Sequence, residues 1–407
     1  MTLRQADSVS PTEGVQSRRS ARTEFRPDIE GLRAIAVVAV VLFHADVPGV
    51  GGGFVGVDVF FVISGFLITG LLWREVSTSG TVRLRRFYGA RARRLLPASA
   101  AVGVVTVIAS AFLLPLLQVR SVIFDGIASA LYVSNYWFIL EGVHYFGGHL
   151  PPSPFQHYWS LGVEEQFYLV WPALIIGTAW LIRCARRRTR AQATSATSSE
   201  RPYLVVLVLV AAGSFALSLV ITYVMPAAAF FSLPTRAWQL AAGGLVALTA
   251  GQWRGLAALP AAITGWAGLG LILLACTLLS PATLYPGSAA LLPVLGAVLV
   301  IGAGCAAPSQ GCGRVLGLSS MRAVGRVSYS WYLWHWPVLV LAPALLGHPL
   351  GLAARLAAAL LSGALAVLTL RFIENPLRFA APLRRSPLAS LAVGGVATAV
   401  AVCVGLV

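Results

Sequence analysis

Residues 32–73 read LRAIAVVAVVLFHADVPGVGGGFVGVDVFFVISGFLITGLLW, two apolar runs joined by a glycine-rich turn. The first run opens with Arg33 and carries His44 near its end, and Asp46 and Asp58 flank the turn. Wound as α-helices at ~1.5 Å per residue, such runs suit the ~30 Å hydrocarbon core of a bilayer. The same kind of window recurs at 98–118, 163–182, 203–224, 235–251, 262–280, 289–306, 328–346, 351–372 and 387–406. The whole chain agrees: 57% of its 407 residues are hydrophobic and 11% charged, where a soluble protein carries about 25% charged residues. A water-soluble enzyme is thereby excluded. The expected fold is all-α, a polytopic membrane helix bundle of about eleven spans, ten in the main domain and one C-terminal.

The 30 cationic side chains, all arginine, face 14 acids and give a net charge of +16. In a soluble protein that excess suggests nucleic acid; in a membrane protein it marks cytoplasmic loops. No nucleic-acid partner is expected. The arginines cluster at 4–33, 74–94, 183–201, 314–326 and 371–385, while 45–53, 141–162, 225–234, 281–288 and 347–350 have none. All clusters fall on one side only if 122–140, which contains Asp125, Ser129, Ser134 and Asn135, does not cross. That segment is therefore read as re-entrant or interfacial, at the outer face. The N-terminus is then cytoplasmic, the C-terminus outside, and only Arg120, Arg236 and Arg355 lie away from the cytoplasmic side of a plasma-membrane protein. The chain divides into a cytoplasmic, disordered tail (1–25), a membrane domain (26–380), and a cytoplasmic link with a final span (381–407). Residues 191–200 read as a flexible loop. Cys184, Cys276, Cys305, Cys312 and Cys403 form no CxxC pair and no metal-ligand spacing.

Ionisable side chains inside a bilayer usually mark a functional interior. Arg33 and His44 are eleven residues apart, which is ~16 Å of helical rise and about 20° of rotation. They share one stripe, Arg33 near the inner boundary and His44 in the outer half. Asp58, His157, Glu164, Glu165 and Arg236 are read at the same outer depth, where a histidine beside carboxylates suits general-base work. An interfacial ion-pair network is the structural alternative. Arg91 and Arg94, spaced by three, share a helix face. They fit either plain orientation or a fork for phosphates. In SYSWYLWHWP (328–337), Tyr332 and His335 share a face, His335 little more than one turn above the inner boundary.

Seven segments in order, FRPDIEGLRAIAVVAVVLFH (25–44), GFVGVDVFFVISGFLIT (53–69), FYGARARRLLP (87–97), HYWSLGVEEQFYLVWP (157–172), RAWQLAAGG (236–244), SYSWYLWHWPVL (328–339) and IENPLR (373–378), resemble the motifs of the acyltransferase 3 family. Its members include O-acetyltransferases of surface glycans such as O-antigen, and macrolide O-acyltransferases. The resemblance implies acyl transfer, the acyl group most simply acetyl, from cytosolic acyl-CoA to a hydroxyl of a sugar-containing acceptor. That acceptor is a surface polysaccharide, a lipid-linked glycan or a macrolide. The family's Arg-x10-His motif falls on Arg33 and His44, and its Arg-x-x-Arg motif on Arg91 and Arg94 at the donor side. Gln239 departs from the Glu that relatives often carry after the Trp, which weakens an acid/base role there. Many bacterial relatives add an extracytoplasmic hydrolase-like domain with a catalytic Ser after an eleventh span. This sequence reaches Val407 with its eleventh window, and is expected to be a stand-alone transferase or a shortened form of a longer one.

His44, Arg33, Glu164, Glu165 and Asp58 are thus the candidate catalytic residues. Arg33, Arg91, Arg94, Tyr332 and His335 are candidates for holding acyl-CoA as co-substrate, and His157, Trp159 and Arg236 for the acceptor. The expected mechanism has His44 as general base for the acceptor hydroxyl, or as a covalent acyl carrier. No metal or resident cofactor is expected, and membrane lipid is the surrounding partner. The competing reading is a proton-coupled exporter of a lipid or glycan, since buried His, Asp, Glu and Arg also suit a proton relay. An inactive partner in glycan assembly is a third.

Overall fold

A computed structural model describes residues 25–143, 145–146, 152–188 and 200–406. The Arg-bearing tail, apart from Phe25, and the loop at 191–199 lie outside the described residues. Among these, every regular element is helical. The larger helices are α1 (Pro27–His44), α2 (Gly56–Ser79), α3 (Leu84–Leu113), α4 (Leu116–Ala130), α5 (Ser134–Leu140), α6 (Tyr158–Arg188) and α7 (Arg201–Val224). They continue as α8 (Pro226–Phe231), α9 (Leu233–Leu248), α10 (Ala258–Leu278), α11 (Leu291–Ala306), α12 (Ser319–Leu346), α13 (Leu352–Thr369) and α14 (Pro387–Leu406). Seven helices of the described residues, led by Gly53–Ser79 and Leu84–Leu113, are long and apolar enough to cross a membrane. The remaining four windows form α1, α9, α11 and α12, which are shorter or carry charged and polar turns. All-α, multi-pass architecture is the outcome.

The segment 122–140 forms no continuous rod. It is divided between the 15-residue α4 and the 7-residue α5, each below the ~20 residues a span needs. The break falls at Tyr132, whose φ of +57° lies in the left-handed region that non-glycine residues rarely adopt.

Helix association in lipid depends on close backbone approach, and glycines supply it here. At the α2–α9 contact, a Cβ on Gly65 would meet the Leu240 carbonyl oxygen at 1.8 Å, and one on Gly243 the Val62 oxygen at 1.9 Å. Gly268 and Gly296 bring α10 and α11 together in the same reciprocal way. The pair that matters most for function is α1 with α12, which lie side by side and parallel. Arg33 meets Ser328 and His44 meets His335, in the same order along both helices. Gly325 lets that seam close against the Glu30 backbone, and Gly31 lets α1 approach the Leu316 backbone of the short helix just before α12. The α13 helix ends in a π turn, Leu370–Glu374, and α14 lies along α3.

Candidate active site

α1 carries two polar levels, one at His44 and one at Arg33. At the first, His44 Nδ1 lies 2.9 Å from His335 Nε2, and His44 Nε2 lies 3.0 Å from the Tyr145 hydroxyl. His335 Nδ1 is 2.7 Å from the Tyr332 carbonyl oxygen. That carbonyl only accepts, so His335 Nδ1 carries the proton and its neutral Nε2 offers a lone pair. His44 Nδ1 must then donate to His335, which leaves the lone pair of His44 on Nε2, facing a hydroxyl. Three hydrogen bonds in series therefore fix one tautomer of a half-buried imidazole and aim its basic nitrogen at an O–H. The rings pack accordingly: His44 stacks on His335 at 5.1 Å and meets Trp336 at 4.5 Å.

Local sequence explains this placement. Pro337 has no N–H, so the Leu333 carbonyl one turn earlier loses its helical donor. His157 Nε2 donates to that carbonyl at 3.1 Å. The Tyr332 hydroxyl donates to the His157 carbonyl at 3.0 Å and lies 2.7 Å from Ser160 Oγ. The start of α6 is thus stitched to the prolyl bend of α12. Tyr145 is held from the other side, stacked on Phe230 at 4.3 Å and edge-on to Trp159 at 6.2 Å. Behind these rings, Arg236 and Asp58 form a fully buried ion pair at 2.9 Å, with Arg236 Nε donating to the Phe230 carbonyl at 2.9 Å. The guanidinium also lies over the rings of Phe230, Trp159 and Tyr285.

At the second level, Arg33 donates through Nε and Nη2 to Ser328 Oγ at 3.1 and 2.9 Å. Arg91 lies flat on Tyr168, 3.2 Å from the ring centre, and 3.9 Å from Glu165. Glu164 accepts from Ser64 at 2.9 Å and from Tyr168 at 3.2 Å. Arg94 Nε is buried without a hydrogen-bond partner. Among the described residues neither Arg33 nor Arg94 has a carboxylate within ion-pair distance; the charges of Glu164 and Glu374 still act on Arg33, and that of Glu374 on Arg94. Two half-buried cations therefore stand without close anions.

The structure brings His44, His157, Trp159, Tyr332 and His335 together, and separately Arg33, Arg91, Arg94, Glu164 and Glu165. Two placements differ from the sequence-based expectation. Glu164 and Glu165 sit two turns into α6 and belong with the arginines, not at the His44 depth. His335 stands beside His44 rather than near the inner boundary, because α12 begins at Ser319 and places it ~24 Å along the helix. Asp58 and Arg236 neutralise each other behind the site, and Asp46 is exposed and paired with Arg355. Sequence reasoning missed Tyr145, which lies in an irregular loop with no periodicity to read. It also assigned no role to Glu374, although the IENPLR segment contains it. Among the described residues, no group of three His, Cys, Asp or Glu side chains could hold a metal ion.

Residues 26–404 match the sequence profile described as an acyltransferase domain, the acyltransferase 3 model. The chain belongs to the acyltransferase 3 family. Within it, the chain is 33% identical over 370 residues to the peptidoglycan O-acetyltransferase OatA of Listeria monocytogenes, covering 87% of this chain and 56% of the relative. It is 29% identical over 368 residues to the O-acetyltransferase OatA of Staphylococcus aureus, covering 87% and 57%. The chain spans little more than half the length of these relatives. No solved structure matches it.

Proposed function

We propose that this acyltransferase 3 protein transfers an acetyl group from cytosolic acetyl-CoA to a hydroxyl of a glycan, with His44 as general base. The observation that carries the reading is the single tautomer of His44, whose lone pair at Nε2 is directed at a hydroxyl by His335 and the Tyr332 carbonyl. An acceptor hydroxyl in the place of the Tyr145 oxygen gives its proton to His44 Nε2 as its oxygen attacks the thioester carbonyl. The positive charge then developing on His44 is shared through Nδ1–H with His335 Nε2. On collapse the C–S bond breaks, and the leaving thiolate takes the proton back from His44. The uncompensated Arg33 and Arg94 support a polyanionic donor, since half-buried cations without carboxylates favour bound phosphates. The ~16 Å along α1 between Arg33 and His44 suits a donor whose phosphates and thioester lie far apart. The relatives named as O-acetyltransferases, one of them of peptidoglycan, favour acetyl as the group and a cell-wall or related surface glycan as the acceptor.

A second route is favoured by the fact that the hydroxyl on His44 Nε2 is the protein's own. In it, the Tyr145 oxygen attacks the thioester, the C–S bond breaks, coenzyme A leaves as the thiol, and acetyl-Tyr145 passes its acetyl group to the acceptor. Thiol release from acetyl-CoA by the purified protein, with and without peptidoglycan fragments, tests the activity. H44A is expected to abolish release while keeping the native melting curve. Release by H44A at more than a few per cent of the native rate overturns the role of His44. Mass spectrometry of protein quenched without acceptor separates the routes, acetyl on Tyr145 being expected only in the second.

A further inference from the structure

Glu374 ends the π turn that follows α13, and such turns are frequent at functional sites. Its side chain is 2% exposed. It accepts from Ser330 Oγ at 3.2 Å and lies 3.6 Å from Arg378 Nη1. Ser330 is two residues from Ser328, which holds Arg33. Glu374 is also the carboxylate whose charge acts on Arg94, and the Arg94 Nε has no hydrogen-bond partner. Arg91 is engaged elsewhere, by Tyr168, Glu165 and Glu164. One buried carboxylate therefore acts by its charge on three guanidiniums, Arg94, Arg378 and Arg33, and among the described residues its ion pair is with Arg378, the most exposed of them.

Its position is that of an anion meant to be replaced. A carboxylate placed to neutralise Arg94 for stability alone would form the short bidentate pair that arginine favours. This one is tethered by Ser330 and paired with Arg378, and it lowers the repulsion among the guanidiniums without forming an ion pair to Arg33 or Arg94.

We propose that Glu374 is the resident counter-anion of the donor seat: it steadies Arg33 and Arg94 while the seat is empty and opposes any ligand with too few phosphate charges to outbid it. The proposal rests on the reading of these arginines as the phosphate site. Glu374 is thus a residue that sets donor selectivity by charge. Its removal strengthens anion binding, where loss of a phosphate-holding residue weakens it.

The test is binding of inorganic pyrophosphate, coenzyme A and uncharged pantetheine to the full chain in detergent, by calorimetry. E374Q, which keeps an oxygen for Ser330, is expected to bind pyrophosphate and coenzyme A about tenfold more tightly, since one like charge is withdrawn from beside the ligand. Pantetheine binding is expected to stay unchanged. Unchanged or weaker pyrophosphate binding by a variant with native helicity overturns the proposal. Should E374Q fail to fold, E374L combined with S330A removes the carboxylate and its serine tether as a unit, leaves the 37% exposed Arg378 to solvent, and is again expected to bind pyrophosphate more tightly. R94Q separates the two ideas, with an expected loss of about tenfold or more in pyrophosphate affinity. If R94Q binds like the native protein, the phosphate-seat reading falls. If R94Q binds weakly while E374Q does not tighten, only the role of Glu374 falls.

Discussion

Replacing His335 by alanine removes the acceptor for His44 Nδ1–H and leaves the arginine level untouched. Two effects follow from the geometry. The Nδ1–H loses a 2.9 Å partner in a site where His335 itself is fully buried, and an unsatisfied donor there costs about 1–3 kcal/mol. The imidazole is also free to turn or to carry its proton on Nε2, which removes the lone pair from the reacting side. Loss of the orienting group in a comparable hydroxyl–imidazole–acceptor arrangement lowers turnover ~10⁴-fold when the orienter is a full carboxylate. A neutral imidazole orients with less charge, so a fall of about 10²–10³ in kcat is expected, the upper part of that range coming from the lost tautomer. Because His335 touches neither Arg33 nor Arg94, the KM for acetyl-CoA should change less than about threefold. H335Q, whose amide oxygen can accept from Nδ1, should recover roughly tenfold over alanine. The assay is initial-rate thiol release over a range of acetyl-CoA concentrations, with thermal unfolding alongside. A rise in KM at unchanged kcat would refute the relay and return His335 to the donor site, as its position in the sequence first suggested.

R33Q and R94Q should raise the KM for acetyl-CoA by about 10–100-fold, with smaller losses in kcat, because each removes a charge-assisted contact to phosphate; equal KM values in the same assay would leave both arginines as topology signals. D58N leaves the Arg236 guanidinium buried and unpaired, and should destabilise the fold by about 3–5 kcal/mol; the double variant D58L/R236M should regain much of that in thermal unfolding. G65A places a methyl group 1.8 Å from the Leu240 carbonyl oxygen, which the seam cannot absorb without moving α2 from α9. A loss of about 1–3 kcal/mol or more is expected, read as a lower midpoint of unfolding in detergent, while G213A, at a position with open space, should change little.

The helices and their order are legible in the sequence because lipid leaves so little choice: an apolar run of span length must satisfy its own backbone, and only a helix does so. The Arg33–His44 stripe is legible for the same reason, since a continuous α1 turns a count of residues into a distance. Depth is less legible. Helix α12 starts on the polar, charged stretch SSMRAVGRV (319–327), which a hydropathy window passes over, and the depth inferred for His335 is wrong by those nine residues. Glu164 and Glu165 are misread in the complementary way: α6 already runs from Tyr158, but besides Tyr168 the partners of these acids, Ser64 and Arg91, come from other helices, and no spacing within α6 encodes those. Tyr145 is invisible to periodicity altogether, because its place depends on a stack with Phe230 and a hydrogen bond to α1.

These differences share a cause that bears on mechanism. The pairs the sequence reads well each share one helix, Arg33 with His44 on α1 and Arg91 with Arg94 on α3, whereas the residues it misplaces or misses are those of α12, α6 and Tyr145 that pack against them. α1 therefore acts as the ruler of the site, with both levels marked along it, and α12 as its matched edge, since Ser328 and His335 meet Arg33 and His44 in the same order. Seven residues on α12 rise ~10.5 Å against ~16 Å for eleven on α1, and the long reach of the Arg33 side chain toward Ser328 takes up the difference. A lysine at 33 would carry the same charge but no fork to hold Ser328 through Nε and Nη2 together. The arginine consequently fixes the register between base and phosphate seat as well as supplying charge, which is a physical reason for Arg, rather than any cation, at this position.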